Sequence, residues 1–441
     1  MEAKEYDAHI GMEVFTTQSP GIGGRLKKTP EDFVVQEIGL DGSIAPLELT
    51  TKEYPDHAGK FTVFYLVKRN LDSIQAIRRL SRSMGVSYKR FSYAGIKDRR
   101  AVTSQRVSFR GSPQDLIGRE ISGVQILHPH RAKQPIVPGA LRGNRFTIAI
   151  REVDLTAKEA QTRVETTQKE ILSAGGALNF YGPQRFGIIR PNTHLIGRQL
   201  ILENYKEAIQ ILLEGGLEPT EVSEDSTQEA FDSNEGKSTE DVPYGLYERA
   251  VTHYLNKHPD NYRGAFQVIP KDLARLYVHA FQSYIFNKSI SQRVIQGISL
   301  QEPTLGDYAK PVAGEIHTVR PVTKDVISQI TTAVRESTHQ IVIPIVGFDF
   351  EHVSFEGSMG EIVTTILEKE KITPAQFRLK DLPTLSSRGT FRPLLVNPAN
   401  YQSSILTPEE TAVQICFDLP KGSYASVILR EFIKPELPTQ L

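Results

Sequence analysis

Cysteine and tryptophan are nearly missing from this chain of 441 residues: one Cys, no Trp. The single cysteine, Cys416, excludes an intrachain disulfide and any metal cage built from thiolates. No run approaches the roughly 18 consecutive apolar residues that a membrane span requires. The opening residues, MEAKEYDAHIGMEVF, contain acids and no long apolar stretch, which argues against a secretory signal. A nucleophile elbow of the form G-x-S-x-G is absent, so serine-hydrolase chemistry has no support. GIGGR at positions 21–25 lacks the GKS or GKT element of a phosphate loop and reads as a turn. The histidines His128 and His130, and the pair His253 and His258, have no accompanying carboxylates, and a spacing of five does not align two imidazoles on one helix face. No metal site is expected. What remains is a chain of ordinary globular proportions, long enough for two or three domains, with the character of a cytoplasmic protein.

Net charge is zero, but it is unevenly distributed. Between Lys60 and Arg151 there are nineteen Lys and Arg against four acids, Asp72, Asp98, Asp115 and Glu120. Between Glu203 and Glu248 thirteen acids face two bases, Lys206 and Lys237. A basic block beside an acidic one points to a polyanion-binding surface on one part of the molecule.

Hydrophobic spacing outlines the elements. FTVFYLV (Phe61–Val67) predicts a strand from its aromatic and β-branched content. Leu71, Ile74, Ile77, Leu80 and Met84 recur at helical spacing, with Asn70 placed to cap the helix. FSYAG (Phe91–Gly95) and TSQRVSF (Thr103–Phe109) predict two strands joined by the polar turn IKDRRAV. RFTIAIR (Arg145–Arg151) predicts another strand, and Leu155–Leu172 a second helix. Residues 215–244 are acidic, Ser/Thr-rich and aperiodic, as in a flexible surface segment or a long loop. A long helix is expected from Asp272, then short β runs such as QIVIPIVGF. AVQICFDL, near the C-terminus, predicts a strand, followed by a turn and a last helix. No internal repeat is found.

Within this frame one carboxylate stands out. Asp98 is the only acid of YAGIKDRRAVTSQ (Tyr93–Gln105), in a polar turn between two strands and crowded by Lys97, Arg99 and Arg100. Neighbouring cations keep a carboxylate ionised, as a nucleophile or electrostatic partner requires. The plainer reading is a turn aspartate bonded to its local backbone.

YAGIKDRRAVTSQ closely resembles the signature of the TruD family of tRNA pseudouridine synthases. KKTPEDFVVQE (Lys27–Glu37), GNRFTIAIR (Gly143–Arg151), NFYGPQRFG (Asn179–Gly187), FQSYIFN (Phe281–Asn287) and LPKGSYASVILRE (Leu419–Glu431) are similar to its other motifs, in family order and across nearly the whole chain. The resemblance implies isomerisation of a uridine in tRNA, uridine 13, to pseudouridine, with no metal or organic cofactor. The expected partner is tRNA, with no membrane and no obligatory protein partner. Two other readings stay open: a catalytically silent RNA-binding protein or tRNA chaperone on the same fold, and a metal-dependent nuclease.

The family nucleophile falls on Asp98, and the basic residue that pairs with it on Lys27. Substrate contacts fall on Phe33 and Tyr181 (aromatics that stack on the base), Asn179 (an amide for a uracil edge) and Tyr424 (a second aromatic). Bacterial relatives tend to carry Phe at the last two Tyr positions. Gly95, Gly182 and Gly422 flank these groups, where glycine permits close approach or positive φ. The implied fold is α+β: a pseudouridine synthase catalytic domain, its sheet mixed but largely antiparallel, built from residues 1–202 and 396–441. A family-specific α/β insertion, 203–395, would complete a V-shaped molecule with an RNA-binding cleft. The acidic segment 218–241 would face away from the RNA, since carboxylates near phosphates weaken binding.

Overall fold

The computed structural model describes residues 4–51, 58–188, 190–213, 245–313, 318–353, 355–407, 411–436 and 440; the acidic stretch 215–244 lies outside them. The main sheet is formed by β1 (Phe33–Ile38), β2 (Phe61–Arg69), β3 (Phe91–Tyr93), β4 (Val102–Phe109), β5 (Val124–Ala132) and β6 (Gly143–Ile150), together with two strands from near the C-terminus. Elsewhere lie β7 (Ala177–Leu178), β8 (Tyr308–Pro311), β9 (Arg320–Pro321), β10 (His339–Ile345), β11 (Thr390–Pro393) and β12 (Leu395–Val396). The two late strands of the main sheet are β13 (Ala399–Thr407) and β14 (Ala412–Pro420).

The main sheet runs β13-β14-β6-β1-β4-β2-β5, with β3 also paired to β4. Every ladder in it is antiparallel except one: β1 and β4 are parallel, with Val34 opposite Val102 and Gln36 opposite Ser104. Period-two burial sets its packed face. Val413, Ile415, Phe417 and Leu419 of β14 join Phe146, Ile148 and Ile150 of β6 and Phe33 and Val35 of β1. Helices Ala157–Ser173 and Ala425–Ile433 cover them with Ala160, Val164, Ile171, Ile428, Leu429 and Phe432. Thr156 opens the first of these helices with a reciprocal cap to Glu159.

A second core gathers strands β10 and β11 of the four-stranded sheet β11-β10-β8-β9 with helices Lys271–Ile295 and Gly357–Glu370. Ile10, Met12, Leu178, Phe180, Phe186 and the helix Thr193–Ile201 belong to this core as well. Hydrophobic packing therefore runs across residue 202. Its ionic centre is Arg293, whose Nη1 and Nη2 donate to Asp307 Oδ1 and Oδ2 at 2.6 and 2.9 Å with both side chains fully buried.

The expected helix after β2 spans Ser73–Ser83, but its cap is Asp72, not Asn70. Asp72 Oδ1 accepts from the amides of Ile74 and Gln75 at 2.8 and 2.9 Å, because only a residue directly before the first turn can reach them. Asn70 instead turns the chain with φ of 49°, a left-handed conformation that Asn tolerates. Of the nineteen basic residues from Lys60 to Arg151, twelve are exposed and only Lys68 and Lys97 are buried, so the block is largely a solvent-facing surface. No helix among the described residues is long and apolar enough to cross a membrane.

Asp307→Ala should destabilise the protein by about 3–5 kcal/mol, since it strands a buried guanidinium. A melting temperature within 2 °C or so of the parent, where about 1 kcal/mol moves a large domain by about 2–4 °C, would contradict this.

Candidate active site

Because β1 and β4 are parallel neighbours, the segments that lead into them meet at one edge of the sheet. Lys27 stands before β1 and Asp98 before β4, and their side chains meet with Nζ 3.3 Å from Oδ1. Lys27 adopts φ of 57°, a strained conformation for a lysine, of the kind that accumulates at functional sites. Its ammonium also lies 4.3 Å from the centroid of the Phe33 ring, a cation–π contact. From β2, the buried Lys68 donates through Nζ to the main-chain oxygen of Asp98. Asp98 is thus held at its carboxylate by one lysine and at its main-chain oxygen by another.

These groups line a cavity of about 470 Å³, walled by Phe33, Phe146 and Tyr424, with Asn144, Gln184 and Arg100 supplying polar groups. That volume falls in the range of small-molecule sites. A broader depression of about 780 Å³ around Arg198, Tyr205 and Tyr262 contains none of the Asp98 set. Burial alone would push the Asp98 carboxyl up; the charge and hydrogen bond of Lys27, the charge of Lys68 and a hydrogen bond from Gln184 outweigh it and hold the group below the usual aspartate range. The arrangement keeps an ionised carboxylate, 29% exposed, at the base of a ring-walled recess.

Of the residues named from sequence, Lys27, Phe33, Asp98 and Tyr424 come together on this cavity. Asn179 and Tyr181 stand behind it. The Asn179 amide is committed elsewhere: Nδ2 donates to the Pro393 carbonyl at 3.0 Å, and Oδ1 accepts from Arg392 Nη2 at 2.6 Å. Tyr181 lies against Arg392, whose Cζ is 4.4 Å from the ring centroid, and meets Tyr424 edge-on at 6.0 Å. Its backbone is clamped by Asn287, which donates to the Tyr181 carbonyl and accepts from its amide at 3.0 and 2.8 Å; this is the work of the FQSYIFN segment. Arg185 Nη2 donates to the Tyr424 hydroxyl at 3.3 Å.

Lys97, read from sequence as one of the cations crowding Asp98, turns its ammonium elsewhere. Its Nζ is 2.5 Å from Asn144 Oδ1 and 3.4 Å from Glu37 Oε2. Sequence reasoning missed Asn144, Gln184 and Glu37, although all three lie inside the family-like motifs, and missed Lys68 and Arg392, whose roles depend on strands distant in sequence. Among the described residues no three His, Cys, Asp or Glu side chains group as metal ligands.

The sequence profile of the family described as tRNA pseudouridine synthase D (TruD) matches residues 9–432. The chain is 33% identical to a protein of Methanosarcina acetivorans named "Probable tRNA pseudouridine synthase D", covering 100% of this chain and 99% of that one. It is also 33% identical to a protein of the same name from Pyrobaculum aerophilum, covering 99% and 98%. The crystal structure of a Methanosarcina mazei protein assigned to tRNA pseudouridine synthase D superposes with a TM-score of 0.80 at 29% identity, over 100% of both chains. Fold and likeness together define the class, an isomerase of the pseudouridine synthase type. Within that class the chain belongs to the TruD family.

Lys27→Gln should move the acid limb of the activity profile upward. The lysine depresses the Asp98 pKa, so its loss leaves burial unopposed by that charge and the carboxylate protonates at higher pH. An opposite charge at this range is worth about 1–3 pH units. Rates measured between pH 4 and 8 check this; an unmoved acid limb would separate Lys27 from Asp98 ionisation.

Proposed function

We propose that this chain converts a uridine of tRNA, uridine 13 by its family resemblance, to pseudouridine, with Asp98 as the nucleophile. The observation that carries the reading is the Lys27–Asp98 pair at the base of a ring-walled cavity. A carboxylate held ionised beside a flat pocket suits attack on a nucleoside at its sugar carbon or its uracil ring. The reaction exchanges a carbon–nitrogen bond for a carbon–carbon bond without net oxidation, so its stoichiometry calls for no cofactor.

In this reading Tyr424 is the ring against which the extruded base stacks, and Phe33 forms the floor under Lys27. Asn144 and Gln184 address the uracil edge, each able to donate and accept. Asn179 and Tyr181 act through Arg392, which joins them to the Gly422 carbonyl at 2.7 Å and so steadies the loop that carries Tyr424. Residues 1–202 and 396–441 form the catalytic part, 203–395 the inserted part of a V-shaped molecule, and the exposed basic surface takes the tRNA backbone. The place of action is the cytoplasm.

The test is direct. Incubation with unmodified tRNA transcript, followed by carbodiimide-dependent primer-extension mapping, should reveal pseudouridine at a single site. Asp98→Asn should abolish it while leaving tRNA affinity within about threefold, because the amide keeps the shape and loses the nucleophile. Turnover by Asp98→Asn within tenfold of the parent would remove Asp98 from this role, and tRNA bound but never modified would mark an RNA-binding protein instead.

The basic surface makes a separate prediction. Affinity for tRNA should fall steeply with salt, since each neutralised phosphate contributes a logarithmic slope of about −0.7 to −0.9. Replacing the exposed Arg82 and Lys89 by Ala should shallow that slope by up to about two units and raise KM more than it lowers kcat. A salt-independent affinity would refute the assignment of this face.

A further inference from the structure

The cavity has a second charged group beside the Lys27–Asp98 pair, and its charges do not balance. Glu37 of β1 is buried and faces two cations. Arg106 of β4 donates through Nε to Oε1 at 3.1 Å, and Lys97 stands with Nζ 3.4 Å from Oε2. Arg106 also donates to the Ala140 carbonyl at 3.0 Å, on the side of its own guanidinium. Lys97 is the member that lines the cavity, although only 6% of it is exposed, and it donates there to the neutral Asn144. Asp98 is already matched by Lys27. Counting Lys27, Lys68, Lys97 and Arg106 against Asp98 and Glu37 leaves a surplus of two positive charges around the recess, before the exposed Arg100 that also lines it.

An unbalanced buried cation is unfavourable, and burial does lower the Lys97 pKa below the usual lysine range, with Glu37 opposing it. Such a charge is useful where negative charge is about to arrive. The rings of Phe33, Phe146 and Tyr424 beside Lys97 suit a flat base better than a backbone phosphate. We propose that Lys97 is a second catalytic residue, whose ammonium donates to a uracil carbonyl and holds the negative charge that collects on the ring during the isomerisation. The inference rests on the uridine reading above.

The charge arises whichever atom Asp98 attacks. If its oxygen bonds to C1′, the C1′–N1 bond breaks and the electron pair stays on the ring, spread over N1, O2 and O4. If it adds to C6, the displaced pair moves to C5 and O4, and the C1′–N1 bond breaks with its pair left on N1 as C5 takes C1′. In both cases C5 then bonds to C1′, Asp98 departs as a carboxylate, C5 loses its proton and N1 gains one. Nothing is oxidised or reduced. A preorganised donor aimed at such charge acts on kcat more than on substrate binding.

The bland alternative is that Lys97 merely counterbalances Glu37. Leaving-group dependence separates the two. Lys97→Met should be assayed on tRNA transcripts bearing uridine or 5-fluorouridine at the target, following consumption of the target nucleoside, with Asp98→Asn as the inactive control. On uridine, kcat should fall by about 100-fold or more with KM within about threefold. On 5-fluorouridine, whose fluorine stabilises the ring anion, the deficit should shrink by about fivefold or more. Should Lys97→Met not fold, Lys97→Gln carries the same test: it keeps a polar side chain beside Asn144 and removes the charge, and its kcat deficit should shrink on 5-fluorouridine in the same way. An equal deficit on both substrates, a loss confined to KM, or activity equal to the parent overturns the proposal. A parent protein that leaves both targets unchanged would instead overturn the uridine reading itself.

Discussion

Lys27 and Asp98 are separated by most of a domain's first hundred residues, yet the sheet holds them 3.3 Å apart. They meet because β1 and β4 run parallel in a sheet whose other ladders are antiparallel. Two adjacent parallel strands begin at the same edge, so the residues that precede them become neighbours. The rest of the site follows from that edge. Phe33 starts β1 under the Lys27 ammonium, Lys68 reaches across from β2, and Gln184 and Tyr424 close the recess from segments far along the chain.

Charge in this site is handled by concentration and not by dilution. Buried ionic groups are costly unless each meets a partner. Asp98 and Glu37, both held by cations, satisfy that rule, and Lys97 and Arg106 share one carboxylate. Behind the pocket, among the described residues, Arg392 has no carboxylate among the acceptors of its guanidinium; it donates to the carbonyls of Asn179 and Gly422 and to the Asn179 amide oxygen, under aromatic faces. Because Arg392 comes from β11 and its acceptors come from elsewhere in the chain, one side chain couples the smaller sheet's core to the loop before the last helix.

Local pattern made much of the fold legible. The strand at Phe61–Arg69, the helices Ala157–Ser173 and Lys271–Ile295 and the C-terminal strand and helix appear where periodicity places them, with boundaries shifted by a residue or two. At the start of the helix Ser73–Ser83 local geometry decides the cap: Asn70 and Asp72 both belong to the turn, and only Asp72 lies next to the amides of Ile74 and Gln75. The charge segregation was equally visible, since composition needs no fold.

What the sequence determined by itself was the chemistry available: one acid in a basic turn, one cysteine, scattered histidines, and motifs that resemble a single family. Which of those side chains share a cavity was decided by tertiary structure alone. Asn179 and Asn144 are the same residue type in two quoted motifs, yet strand pairing turns Asn144 into the cavity and leaves Asn179 bonded to Arg392. Lys97 and Lys27 are both lysines, yet the one adjacent to Asp98 in sequence bonds to Asn144 and the distant one pairs with it. The reason is physical: a strand's side chains alternate between faces and its ends are placed by its neighbours, so proximity along the chain says little about proximity in a site.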